Sequence, residues 1–491
     1  MRATLSRILP RQNELRRQLG FLGTISLSVG VMAPTLAMSA TGGQAARLIG
    51  RAAPLAFAFA AVGVALVAYG FVRLAGHFSH AGSVYAFTGL TLGPRAGFFS
   101  GWALLGTYLV FPTVSIMGIA IFGRAFLEST GLWSSPPWWP IALAGWAVVG
   151  VLASRGARTA TRSLLVVEVV AVALILGLVG VILVKLATGD APRDLGYTTA
   201  FLHIPHGVGI STVVFAASAG FLSFAGFEAA GSFGEESERP RTSIPRSLVV
   251  AIAFGAVFYV ICMTAQTLGF GTDAAGVRAF GSSSAPLGDL ARTYAGAPLA
   301  DVIDLVAVFS AVGAGLGCAS VAARMLYALG RDGVLRRELA GVSATGAPAT
   351  ALALELAISL ALIVGFAAAG TTPQDAFFYL ATIGILNLLV MYVVTNLGAL
   401  RYLFLSGVRR APAWEAALPV AGIGFAVYTL YKNVWPVPPH PFDLFPYMVA
   451  GWLGVGLSVA WAVPGLAERI DRRLRERTGV AEPVESVPVT A

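Results

Sequence analysis

A chain of 491 residues that is 57% hydrophobic and only 12% charged is excluded from the ordinary soluble class, in which about a quarter of residues are charged. The formal net charge of +9 does not point to nucleic acid, because the basic residues are scattered through short connections between apolar runs and form no single patch. Cys262 and Cys318 each lie inside an apolar run and match no disulfide or metal-ligand spacing.

The N-terminal stretch carries five arginines ahead of the first apolar run. It reads as a cytoplasmic tail and not as a cleaved signal, since the run from Phe21 continues through Ala46, well past a signal's short apolar core. Runs long enough to cross a bilayer, about twenty residues each, fall at 22–46, 54–75, 96–123, 138–154, 163–187, 208–233, 245–270, 299–327, 349–369, 376–400, 414–434 and 445–465. The expectation is an all-α membrane protein of twelve transmembrane helices with the lipid bilayer as its solvent. With both termini cytoplasmic, the inside segments hold 25 of the 33 basic residues and the outside loops 8. That asymmetry sets the orientation in a cell inner (cytoplasmic) membrane. Trp133, Trp138 and Trp139 supply an interfacial belt in an outer connection. The domain plan is a tail at 1–21, a core of ten spans at 22–402, spans 11 and 12 at 403–466, and a second cytoplasmic tail at 467–491.

Span 1 contains Pro34, which has no amide hydrogen and whose ring clashes with the carbonyl of Gly30 four residues back. The helix is expected to break between Val31 and Thr35. Amides from Thr35 onward then present a positive dipole end to an anion, and the freed carbonyls of Gly30 and Val31 can receive an ammonium or an alkali cation.

The stretch from Gly207 to Arg246 is studded with Gly209, Gly220, Gly226, Gly231 and Gly234 and carries one acid at membrane depth, Glu228. Glycine costs about 1 kcal/mol against alanine inside a helix, so Gly226 marks an opening between Leu222 and Phe227. An opened helix in lipid is tolerated only around a protein-lined cavity. Two interrupted spans five apart predict a five-plus-five inverted repeat, with copies at about 22–187 and 208–400 and a binding site at the midplane.

The run FLSFAGFEAAGSFGEESERPRTSIPRSL resembles the span 6 signature of the amino acid, polyamine and organocation (APC) superfamily. HAGSVYAFTGLTLGPRAGFFSGW (His80 to Trp102) resembles that family's entry to span 3, SVAARMLYALGRDGVL (Ser320 to Leu335) its exit from span 8, and TIGILNLLVMYVVTNLGALRY (Thr382 to Tyr402) its span 10. The resemblance covers about 22 to 402 in register and implies a leucine-transporter-like fold with broken helices 1 and 6. It also implies secondary transport of amino acids or related amines. Carried over, the substrate carboxylate maps to the backbone of the segment Ala33 through Ala37, in which Ala33, Thr35, Leu36 and Ala37 carry amide hydrogens and Pro34 does not. Its ammonium maps to carbonyls at Gly30, Val31, Leu222, Ser223 and Ala225. The chain departs from the glycine-serine-glycine run of many members at Met32-Ala33-Pro34-Thr35, which leaves an amine or a less usual amino acid open as the cargo.

Glu228 aligns with an acid that some members use in proton-coupled gating; it can equally cap the second half of span 6. Glu168 stands in span 5, where some relatives place a lysine. It is either a protonatable site or a surface-proximal residue, and the latter is favoured because it lies about two turns past Arg162. Ser320 is a candidate for a cation site with the span 1 carbonyls, and Asn387 and Tyr108 are candidate pocket linings. Phe221, Phe224 and Phe227 follow a spacing of three, so one ring, Phe224 foremost, can close over the cargo. His203 and His206 read as interfacial residues, since a structural zinc site needs four ligands; no metal and no cofactor is expected. The charged run Glu235 to Arg246 reads either as ion pairs that break and reform or as a solvated turn.

Nothing arranges a nucleophile, a base and an orienting group, so an enzyme is not expected. The reading is a permease that imports an amino acid or amine together with protons. Its alternatives are an amine exchanger and a membrane sensor that binds without transport.

Overall fold

The computed structural model describes residues 17, 19–155, 157–343 and 346–478. Most of both expected tails, 1–16 and 479–491, lies outside the described residues. Among the described residues the regular structure is helical apart from one isolated bridge between Leu19 and Ser237. That is what lipid demands, because only internally satisfied backbones survive without water.

The first expected span is two helices, α1 (Phe21–Met32) and α2 (Pro34–Ala40), and its tail end from Gly42 turns off as α3 (Gly42–Ile49). There follow α4 (Ala53–His77), a short α5 (Val84–Leu92), α6 (Pro94–Tyr108), α7 (Phe111–Ser129), α8 (Trp138–Ser154) and α9 (Ala157–Thr188). The sixth span is α10 (Ile210–Phe224) continued by a 3-10 segment, Phe227–Phe233. After it come α11 (Pro240–Phe270), the short helices α12 (Ala274–Ser282) and α13 (Pro286–Ala295), and α14 (Ala297–Arg331). The chain closes with α15 (Ala349–Ala368), α16 (Pro373–Leu400), α17 (Ala417–Lys432), α18 (Phe445–Ala462) and α19 (Leu466–Thr478).

Eleven stretches among the described residues are long and apolar enough to cross a membrane, while α8, the fourth expected span, is a shorter apolar helix of 17 residues. The expected third span, 96–123, is divided at Leu109 and Val110. Pro112 explains this, since it cannot donate to the carbonyl of Tyr108.

Helices α7 and α14 pack along each other at the centre, with α1, α10 and α16 against them or their neighbours. The periphery is apolar and open: α9 alone exposes Val166, Val169, Val170 and Val184 by half or more of their surface. Exposed apolar surface on that scale belongs to lipid contact. Both ends of the described chain are tied down. Leu19 exchanges backbone bonds with Glu236 and Glu238 at 3.0 Å each, and α19 buries Ile470 and Leu474 against α5 and α6.

Candidate functional site

The first interruption is a single residue. Ala33 takes a left-handed conformation, φ 43° and ψ 66°, between the end of α1 and Pro34 at the start of α2. A non-glycine residue there costs roughly 1–2 kcal/mol, and Pro34 enforces the break by removing a donor. Every amide around the break is committed. Ala33 donates to the Val29 carbonyl at 3.0 Å and Ala37 to the Ala33 carbonyl at 2.8 Å. The Thr35 amide donates to Glu168 Oε1 at 3.0 Å and the Leu36 amide to Ser310 Oγ at 3.3 Å. The carbonyls of Gly30, Val31 and Met32 are left without their helical donors, because Pro34 has none and Thr35 and Leu36 donate elsewhere.

At the second interruption α10 ends at Phe224. Ala225 is extended in ψ at 132°, and Gly226 has φ 103°. Only glycine adopts that φ freely, and a Cβ there would lie 2.4 Å from Val31 Cγ1. The two breaks therefore touch, and Ser28 Oγ ties them by donating to the Phe227 carbonyl at 2.7 Å. Glu228 is buried behind the break. It accepts from Tyr108 at 2.8 Å, from Tyr392 at 3.2 Å and from the Gly226 amide at 3.2 Å. On the near side, the Leu222 carbonyl accepts from the Ala225 amide at 3.2 Å and the Ser223 carbonyl from the Tyr259 hydroxyl at 2.7 Å.

Between the breaks lies a cavity of about 50 Å³, room for only a few waters. It brings together Val31, Ala33, Leu36 and Ala37 of the first break with Leu222 and Ala225 of the second. Met32, Thr41, Phe111, Val114, Ser115, Ala314, Cys318 and Phe377 complete the walls, and no Arg, Lys or His lines it. Gly30, Pro34, Thr35, Ser223, Phe224, Gly226 and Phe227, also named from sequence, do not line it. The three phenylalanines pack instead: Phe221 stacks on Phe425, Phe224 meets Tyr259 edge-on, and Phe227 stacks on Tyr392. Ser320 lies a turn beyond Gly317, with its carbonyl accepting from Arg324 at 2.9 Å. Asn387 is buried and donates to the Ile383 carbonyl at 3.0 Å. A larger cavity of about 260 Å³ adjoins on the side of α3 and shares Leu222.

The favoured placement of Glu168 near the surface is corrected: it is 5% exposed and caps α2. Distance along the helix from Arg162 misled, because burial depends on which face meets α1 and α2. An acid inside an apolar span was signal enough, since such residues are functional candidates by default. Glu355 was missed on the same signal; it is fully buried in α15 and accepts from Ser359 at 2.7 Å.

The charged run after the second break divides: Glu238, Arg239, Arg241 and Arg246 are exposed, as in a solvated turn, while its first two acids form ion pairs. Glu236 forms a buried bidentate pair with Arg324 at 2.7 and 2.9 Å, and Glu235 a partly buried one with Arg331 at 2.7 and 3.0 Å, beside His80. Burial works to raise the Glu235 carboxyl. The charges of His80 and Arg331, with bonds from Arg331 and the Ala81 amide, outweigh it and bring the group down to about 2.

A helical body with an apolar periphery, apolar membrane-length helices and a small cavity at two abutting helix breaks defines a multi-pass membrane protein with an internal cavity. The family model described as amino acid permease matches residues 19–455, and the chain belongs to that family of transporters; it is not an enzyme. The low-affinity putrescine importer of Escherichia coli (strain K12) is 24% identical over 333 residues, 67% of this chain and 70% of that protein. The branched-chain amino acid permease of Lactococcus lactis subsp. cremoris (strain MG1363) is 24% identical over 366 residues, 70% of this chain and 74% of that protein. The methylthioribose transporter of Bacillus subtilis (strain 168) is 24% identical over 351 residues, 66% of this chain and 69% of that protein.

Proposed function

We propose that this chain imports an amino acid or related amine across the cytoplasmic membrane by alternating access, coupled to protons, with the cargo held at the two helix breaks. The observation that carries this reading is the cavity bounded on both sides by interrupted backbone, because non-helical backbone at membrane depth persists only where it is buried in protein or lines a cavity, and transporters build midplane sites from such paired breaks.

The inverted repeat has support of its own. A short helix, α5, precedes the long α6–α7 pair, and α12 and α13 precede the long α14 in the same way five spans later. Both termini lie in the cytoplasm in this reading, by the excess of basic residues on that side. The ion pairs of Glu235 and Glu236 then sit at the inner mouth. Glu228 is the proton site: it is a buried carboxylate bonded to the second break and to Tyr392 of the tenth span, so its charge bears on how these elements pack.

Uptake into proteoliposomes tests the reading. An imposed inward proton gradient, with no internal substrate, should drive accumulation of a putrescine or branched-chain amino acid tracer. Flux that appears only with internal substrate would make the chain an exchanger, and binding with no flux a sensor. The relatives that carry putrescine and branched-chain amino acids make those two tracers the first choice.

A further inference from the structure

The amides at a helix start are where a cargo carboxylate would be received in a site without basic side chains. Here none is open. Thr35 donates to Glu168, Leu36 to Ser310 and Ala37 to Ala33, while Pro34 has no hydrogen to give. At the second break the Gly226 amide donates to Glu228. Each interruption is thus capped by a buried carboxylate of the chain itself. No basic side chain among the described residues pairs with Glu168 or Glu228. The acceptor side is the reverse: Gly30, Val31 and Met32 keep carbonyls without helical donors, and Val31 and Met32 border the cavity.

Building on the transport reading above, we propose that the cargo is an amine that lacks a carboxylate. Its ammonium is received by the carbonyls of the first break between the two carboxylates, and its body lies against Leu222, Phe111 and Phe377. A carboxylate-bearing cargo would have to displace Glu168 from Thr35 or meet only the hydroxyls of Thr41 and Ser115, which already donate to backbone carbonyls, and a buried charge without a partner is costly. Glu168 and Glu228 stand outside the lining, each one backbone amide away from a break, so a cationic cargo at these carbonyls carries the sign of charge that both acids lack nearby.

The test compares each of three amines with its parent amino acid on the full chain: isopentylamine with leucine, putrescine with ornithine, and phenethylamine with phenylalanine. Thermal stabilisation of the purified protein and tracer competition in proteoliposomes are read for each pair. At least one amine should act at a concentration at least about tenfold lower than its parent, a difference well resolved by affinity measurement. A parent amino acid that is carried as well as or better than its amine overturns the proposal while leaving the transport reading intact. Silence of all six compounds in both measurements removes the transport reading and this inference with it.

Glu168→Ala should open the Thr35 amide and shrink the preference toward parity, whereas Glu168→Gln keeps an oxygen for that amide and should retain it. A preference unchanged in a folded Glu168→Ala protein would sink the assignment to Glu168. If that variant does not fold, the three pairs on the unaltered chain decide.

Discussion

Val31 is wedged between two glycines. A Cβ on Gly226 would approach its Cγ1 to 2.4 Å, and a Cβ on Gly317 its Cγ2 to 2.4 Å. The two sites differ in backbone: Gly226 has φ 103°, whereas Gly317 lies inside α14. Gly226→Ala and Gly317→Ala should each destabilise the protein by about 1–3 kcal/mol through overpacking. A second change, Val31→Ala, should relieve Gly317→Ala but only partly relieve Gly226→Ala, whose left-handed strain of roughly 1–2 kcal/mol remains. Melting temperatures of the four variants in detergent check this; equal relief at both glycines would mean the Gly226 conformation carries no strain. At the same scale, Glu228→Gln should weaken acid-stimulated uptake more than it weakens binding. Unchanged acid stimulation would remove Glu228 from coupling.

The segment that follows the second break is held as a latch between elements. Glu236 binds Arg324 of α14, while its backbone and that of Glu238 bond Leu19 just before α1. One short loop thereby connects the first, sixth and eighth spans. Glu236→Gln strands a guanidinium that is 3% exposed and should cost about 3–5 kcal/mol. Pairing it with Arg324→Met should recover much of that loss, and a double-mutant cycle in thermal stability measures it; no recovery would show that the guanidinium is held by groups other than Glu236. Glu235 adds a pH signature. A carboxylate held at about 2 instead of its ordinary 4.5 contributes stability in full above 4.5 and loses it as pH falls toward 2. The stability gap between the parent and Glu235→Gln should be widest at neutral pH and close through that window. A gap constant with pH would place the effect in packing and not in charge.

Across the whole molecule, the two free cysteines offer a built-in comparison. Both are buried, but Cys318 lines the cavity and Cys262 does not. The proposed alternating access would open the cavity to each side in turn, so a small thiol reagent should modify Cys318 during turnover and leave Cys262 intact. Bound cargo should slow the reaction at Cys318. Mass spectrometry of the labelled chain reads both sites at once, and equal labelling would indicate general unfolding instead of opening at the cavity.

Helical class, the membrane setting and the places where the backbone breaks follow from local chemistry. Long apolar runs must satisfy their own amides in lipid, Pro34 cannot donate, and Gly226 alone in its stretch takes φ 103° at no steric cost. Those effects act within a few residues and are legible in the order of amino acids. What fills the breaks is different. The Glu168 contact with Thr35 spans 133 residues and the Ser310 contact with Leu36 spans 274. Each depends on the rotation of a whole helix about its axis, and the apolar all-round helices here leave that rotation unmarked in sequence. The chain alone thus determined that two helices would open; their packing decided that the protein's own carboxylates would close one half of each opening.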